Sequence, residues 1–187
     1  MIDDQSLTKL VIQAQAGDKD AFEKLFRIYE RKIYTYLERL VSHNDQWRDL
    51  AQETFFQAWE KLPELHNPQQ FKPWLYCIAT NKAKSFLRQE KRRWSYQPLP
   101  DDEEHIPGVF LNVPGPEERV AEEDWLKQAL RALEPQCRAC LLLYVVVGFS
   151  QREIAALLGI RESTVSGNVC RGREHLRRYR QFERRVE

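Results

Sequence analysis

Ser150-Gln-Arg-Glu-Ile-Ala-Ala-Leu-Leu-Gly159, followed by Ile160 and by Arg161-Glu-Ser-Thr-Val-Ser-Gly-Asn-Val-Cys-Arg-Gly-Arg-Glu174, reads as helix, tight turn, helix. Ser150 is placed to cap the first helix, and Glu153 three residues on completes a capping box. Ile154, Leu157 and Leu158 share one face at helical spacing. Gly159 stops the helix, because glycine adopts left-handed dihedrals at little cost. Ser163 or Thr164 opens the second helix, with Val165, Val169 and Leu176 facing inward. Ser163, Thr164, Ser166, Asn168, Arg171, Arg173 and Arg177 are expected to face outward or flank. Short polar side chains reach base edges and arginines hold phosphates, so this order suits a helix entering the major groove of duplex DNA. An ordinary helical hairpin with a solvated face has the same outline.

The rest of the chain is helical in pattern too. Only 7 of 187 residues are Gly, while Leu, Ala, Glu, Arg and Gln abound. Helices are expected over residues 4–16, 18–41, 46–61 and 70–94, with Ser42 to Asp45 as a turn and Pro63 to Pro68 as a loop. Phe22, Leu25, Phe26, Tyr29, Ile33, Tyr34, Leu37 and Leu40 mark one apolar stripe; Trp47, Leu50, Phe55, Ala58 and Trp59 mark another. Trp74 falls on an apolar face, which favours the core over a role as a wedge in DNA. Helical pattern resumes over 121–133 and 136–147. Cys140-Leu-Leu-Leu-Tyr-Val-Val-Val147 is apolar enough for a strand, but its place between helices favours a buried core helix.

Charge divides the chain. The net charge of +1 hides +3 over residues 1–95, −8 over 96–124 and +6 over 125–187. Residues 95–124 also hold five of the nine prolines. Such a segment buries too little apolar surface to offset its ordering. The expectation is all-α: a domain over 1–95, a flexible acidic linker over 96–124 and a helix-turn-helix domain over 125–187. Both basic blocks can meet phosphate.

Several classes lose support. No apolar run approaches the roughly 20 residues of a membrane helix, and the polar, acidic Met-Ile-Asp-Asp-Gln is not expected to act as a secretory leader. Cys137 and Cys140 form a lone C-x-x-C without the second pair a structural zinc site needs. They read as small apolar residues one turn apart, with a redox pair as the competing reading, in a reduced cytosolic protein. No cofactor motif is present.

Asp49-Leu-Ala-Gln-Glu-Thr-Phe-Phe-Gln-Ala-Trp59, followed by Phe71-Lys-Pro-Trp-Leu-Tyr-Cys-Ile-Ala-Thr-Asn-Lys-Ala-Lys-Ser-Phe-Leu-Arg88, resembles the N-terminal domain of extracytoplasmic-function sigma factors. Leu133 to Tyr179 resembles their second domain. The resemblance implies a cytoplasmic, non-enzymatic initiation factor that needs no metal or cofactor. Its partners would be core RNA polymerase, promoter DNA and an anti-sigma factor. Asp49, Gln52, Glu53 and Gln57 would dock on the polymerase. Their shared face is rich in hydrogen-bond acceptors and suits an arginine-rich helix. His66 and Asn67, in the loop before the next helix, would help form a pocket for a flipped base of the −10 element. Asn81, Lys82, Lys84 and Arg88 would share an exposed side and line the single strand, with Lys91, Arg92 and Arg93 extending the basic stripe. The helix-turn-helix would read the −35 element, although Ser166, Gly167 and Asn168 stand where relatives usually carry basic residues. A repressor or activator that binds duplex DNA alone would leave the first half of the chain idle.

Overall fold

Apolar side chains at three-and-four spacing must be covered, and four helices do this for the first half. The computed structural model describes residues 4–41, 46–96 and 118–183. α1 (Asp4–Gln15), α2 (Lys19–Val41), α3 (Trp47–Lys61) and α4 (Phe71–Tyr96) pack around Leu25, Ile33, Tyr36, Leu37, Leu62, Phe71 and Leu75, all essentially sealed from solvent. Asp18 caps α2, its Oδ1 accepting from the Ala21 amide at 3.0 Å. Edge-to-face pairs of Phe26 with Phe55 and Phe22 with Trp59 lock α2 to α3. Short 3-10 turns at Leu62–Glu64 and Pro68–Gln70 bridge α3 to α4.

The second half holds α5 (Glu118–Arg131), α6 (Pro135–Leu142), α7 (Gln151–Leu158) and α8 (Glu162–Glu183). Among the described residues every regular element is helical. α5 begins at Glu118, inside the stretch expected to be linker; residues 97–117 and the turn at 42–45 lie outside the described residues. α6 does not continue to Val147 as a plain buried helix. It widens into a π-type turn over Leu143–Val147, and this turns Val145 (58 % exposed) and Val146 (41 %) to the surface. Gly148 then reverses the chain with φ +81°.

The two helical regions expected from the sequence are both present, and they meet along a seam. α6 packs on α2, and α7 packs on α4. Arg138, only 2 % exposed, lies in this seam. Its guanidinium donates to the Leu40 carbonyl of α2 at 2.7 Å and to the Arg131 and Leu133 carbonyls at 2.9 and 3.0 Å. The last carbonyls of a helix have no partner within it, so one side chain closes the ends of α2 and α5 together. Burial, and then the nearby Arg131 charge, push the Arg138 pKa down to about 10, so it remains a cation at neutral pH. Lys72 adds a bond to the Val147 carbonyl at 3.2 Å, and the Tyr76 ring meets Phe149 edge-on.

Candidate functional site

The first cluster of predicted residues lies on α3. Leu50, Ala51, Thr54, Phe55 and Ala58 face the core, which leaves Asp49, Gln52 and Glu53 exposed and Gln57 half-buried on the other side. Phe56 lies among them and is 65 % exposed. An aromatic ring turned to solvent inside an acceptor-rich patch is the composition of a protein-docking anchor. The sequence offers a faint signal for it: Phe55 and Phe56 are adjacent, and a helix cannot bury both on one stripe.

α4 carries the second cluster. His66 and Asn67 are exposed just before it, and Asn67 is occupied in capping, its Oδ1 accepting from the Gln69 amide at 3.0 Å. Asn81, Arg88 and Arg92 are exposed, whereas the side chains of Lys91 and Arg93 lie outside the described residues. Lys82 and Lys84 do not share a side, because two residues on a helix are separated by about 200°. Lys82 leans toward α3 and pairs with Glu53 at 2.9 Å. Lys84 is half-buried near Cys77 and Cys140, where its charge favours their thiolates. Trp74 is half-buried against Phe71, with ring centroids 5.9 Å apart.

The helix-turn-helix forms the third cluster. Ser150 Oγ accepts from the Glu153 amide, and the Glu153 carboxylate accepts from the Ser150 amide at 2.8 Å, completing the capping box. The Ser150 hydroxyl and amide hold the Glu153 carboxyl below its ordinary range. Gly159 turns the chain with φ +65°, and Ile154, Val165 and Val169 fill the space between α7 and α8. Ser163, Ser166, Arg171, Arg173 and Arg177 are exposed, and Thr164 is half-buried.

Asn168 is a correction: it faces inward and is 2 % exposed. It falls three residues after Val165 and one before Val169, on the buried stripe. Its Nδ2 reaches Cys140 Sγ at 3.7 Å, Cys137 Sγ donates to its carbonyl at 3.1 Å, and its Oδ1 accepts from Arg171 at 2.7 Å. A polar side chain with its bonds satisfied inside is not placed to read bases; it positions Arg171. Cys137 and Cys140 are buried free thiols whose pKa values burial raises, the opposite of a reactive pair. Arg171 and Arg173 leave opposite flanks of α8. Arg173 lies over the Tyr144 ring at 4.9 Å and, with Arg177, rims an apolar groove containing Leu126, Leu130, Val145 and Val146. Among the described residues no group of three or more His, Cys, Asp or Glu side chains is set to hold a metal. No described helix is long and apolar enough to cross a membrane.

An acceptor-rich face beside a basic helix, followed by a capped helix-turn-helix, is the outline of a helical transcription factor. Residues 25–93 match the family model described as Sigma-70 region 2, and residues 123–176 match Sigma-70, region 4. The chain belongs to the extracytoplasmic-function RNA polymerase sigma factors, which are initiation factors and not enzymes. It is 30 % identical over 171 residues to the ECF RNA polymerase sigma-E factor of Haemophilus influenzae, covering 88 % of this chain and 90 % of that one. It is 32 % identical over 171 residues to the ECF sigma factor SigE of Mycolicibacterium smegmatis, spanning 87 % of this chain but 64 % of that longer protein. Among solved structures it is similar to the sigma factor RpoE of Bartonella quintana in complex with the anti-sigma factor NepR. That match has a TM-score of 0.68 at 25 % identity and covers 86 % of this chain and 96 % of that one.

Proposed function

We propose that this chain carries core RNA polymerase to a set of promoters and helps melt them, with each of its surfaces engaging a different partner. α3 docks on the polymerase through Asp49, Gln52, Glu53 and Gln57, with Phe56 as the apolar anchor. The loop at His66 and Asn67 and the exposed side of α4, Asn81, Arg88 and Arg92, receive the −10 strand once it is open. Ser163, Thr164, Ser166 and Arg171 on α8 meet the −35 duplex. Arg173 and Arg177 border the apolar groove on the flank of α8, where they serve phosphate or a protein partner rather than base edges. An anti-sigma factor is the expected inhibitor, in keeping with the complex formed by the Bartonella relative. The site of action is the cytoplasm, where polymerase and chromosome are.

The observation that carries this reading is the α3 face, since a DNA-binding repressor has no use for an exposed phenylalanine ringed by carboxylate and amide groups. Reconstituted transcription tests it. The purified chain with core polymerase should start RNA from a cognate promoter that core alone ignores. Asp49→Lys with Glu53→Lys should weaken polymerase association with helical content unchanged. Tight duplex binding without polymerase, together with unaltered association of the charge-reversed variant, would favour a free-standing repressor.

A further inference from the structure

Two surfaces given separate duties are joined by one ion pair. Glu53 on the α3 docking face and Lys82 on the α4 strand-binding helix meet at 2.9 Å across a groove lined also by Asp49, Asn81, Ser85 and Phe86. The partners are unequally covered: the Glu53 side chain is 59 % exposed and that of Lys82 23 %. Glu53 is open to a cation arriving from outside, while Lys82 is held down by the carboxylate it faces. We propose that the Glu53–Lys82 pair couples polymerase docking to strand capture. In the free chain Glu53 withholds the Lys82 ammonium. An arginine or lysine of the docked polymerase takes over the carboxylate, and Lys82 swings out to a phosphate of the opened strand.

The coupling rests on the docking and −10 roles proposed above. A partly exposed ion pair limits its size to a factor of about two to five in affinity. Linkage requires that single-stranded DNA strengthen polymerase binding by the same factor.

The test measures fluorescence anisotropy of a short labelled single-stranded DNA against salt, for the free chain and for its complex with core polymerase. E53Q in the free chain should tighten binding about two- to fivefold and steepen the salt slope by about 0.7, one extra phosphate on a single strand. D49N removes the same charge from the same groove without releasing Lys82, so it should gain less and leave the slope unchanged. Adding K82Q to E53Q should abolish the gain. K82Q alone should weaken DNA binding more in the polymerase complex than in the free chain. Equal gains for E53Q and D49N would reduce the effect to net charge and overturn the coupling while leaving the role of Lys82 intact. If K82Q leaves DNA binding by the polymerase complex untouched, Lys82 is no strand contact and the coupling falls, while the −10 role proposed for Asn81, Arg88 and Arg92 stands.

Discussion

Replacing Arg138 with methionine keeps much of the side-chain volume and deletes every donor. Three carbonyls then lose a charged partner: Leu40 at 2.7 Å, Arg131 at 2.9 Å and Leu133 at 3.0 Å. The Leu40 and Leu133 bonds are buried, whereas the Arg131 bond is only partly so. A hydrogen bond to a charged group contributes about 1.5–3 kcal/mol, and a stranded buried carbonyl costs about 1–3 kcal/mol. Against this stands the relief of burying a cation, the desolvation that already lowers the Arg138 pKa. The balance is a loss of about 2–4 kcal/mol. For a chain of this size that lowers Tm by about 4–16 °C. The loss has a spatial signature as well, because the Leu40 carbonyl belongs to the first half of the chain and regains water only if the seam opens. Thermal unfolding and small-angle X-ray scattering should therefore move together, with a lower Tm and a larger radius of gyration. Arg138→Lys, which keeps the charge but loses the planar fork, should fall between. A methionine variant with parental Tm and parental dimensions would refute the idea that this guanidinium ties the halves together.

Five further outcomes follow from the geometry. Ser150→Ala should cost about 1 kcal/mol through the lost N-cap of α7, seen in the Tm. The carboxylate of the same box has a depressed folded pKa, so its contribution is present above the ordinary Glu value of about 4.3 and fades as pH falls below it; Glu153→Gln should flatten that acid limb. Gly167→Ala and Gly172→Ala should part in sign. A Cβ at Gly167 meets nothing within 4 Å and should gain up to about 1 kcal/mol of helix propensity, whereas at Gly172 it would meet Leu141 Cδ2 at 3.0 Å and should destabilise. Phe56→Ser should weaken polymerase co-purification severalfold with Tm nearly unchanged, because the ring is largely in solvent. Changing Cys137 and Cys140 together to alanine should leave promoter-directed transcription largely intact in a run-off assay.

What could be read in advance was whatever a single helix dictates for itself. The Ser150–Glu153 box, the Gly159 stop and the α2 stripe through Leu25, Ile33 and Leu37 depend on spacing along one element, and the structure has them where spacing puts them. Features that depend on two elements were not legible. Asn168 looks like a surface residue by type; the Cys140 thiol of α6 at its Nδ2 and the Arg171 guanidinium at its Oδ1 make its burial tolerable. The π-type turn at Leu143–Val147 breaks the period on which any reading of that apolar run relies. The separation of Lys82 from Lys84 is already set by one helix, about 200° apart, and what α3 adds is the Glu53 carboxylate that Lys82 meets at 2.9 Å. The seam had no signal at all, since an arginine amid apolar residues does not reveal which distant carbonyls await it.

Those carbonyls have a consequence for how the protein tolerates change. Leu40, Val147 and Leu157 offer main-chain oxygens to Arg138, Lys72 and Cys77. An oxygen that every amino acid carries is indifferent to the identity of its residue. Drift at the accepting positions leaves these three bonds available, so heritable variation in them, unlike that in the packed rings of Tyr76 and Phe149, is concentrated in the three donor side chains.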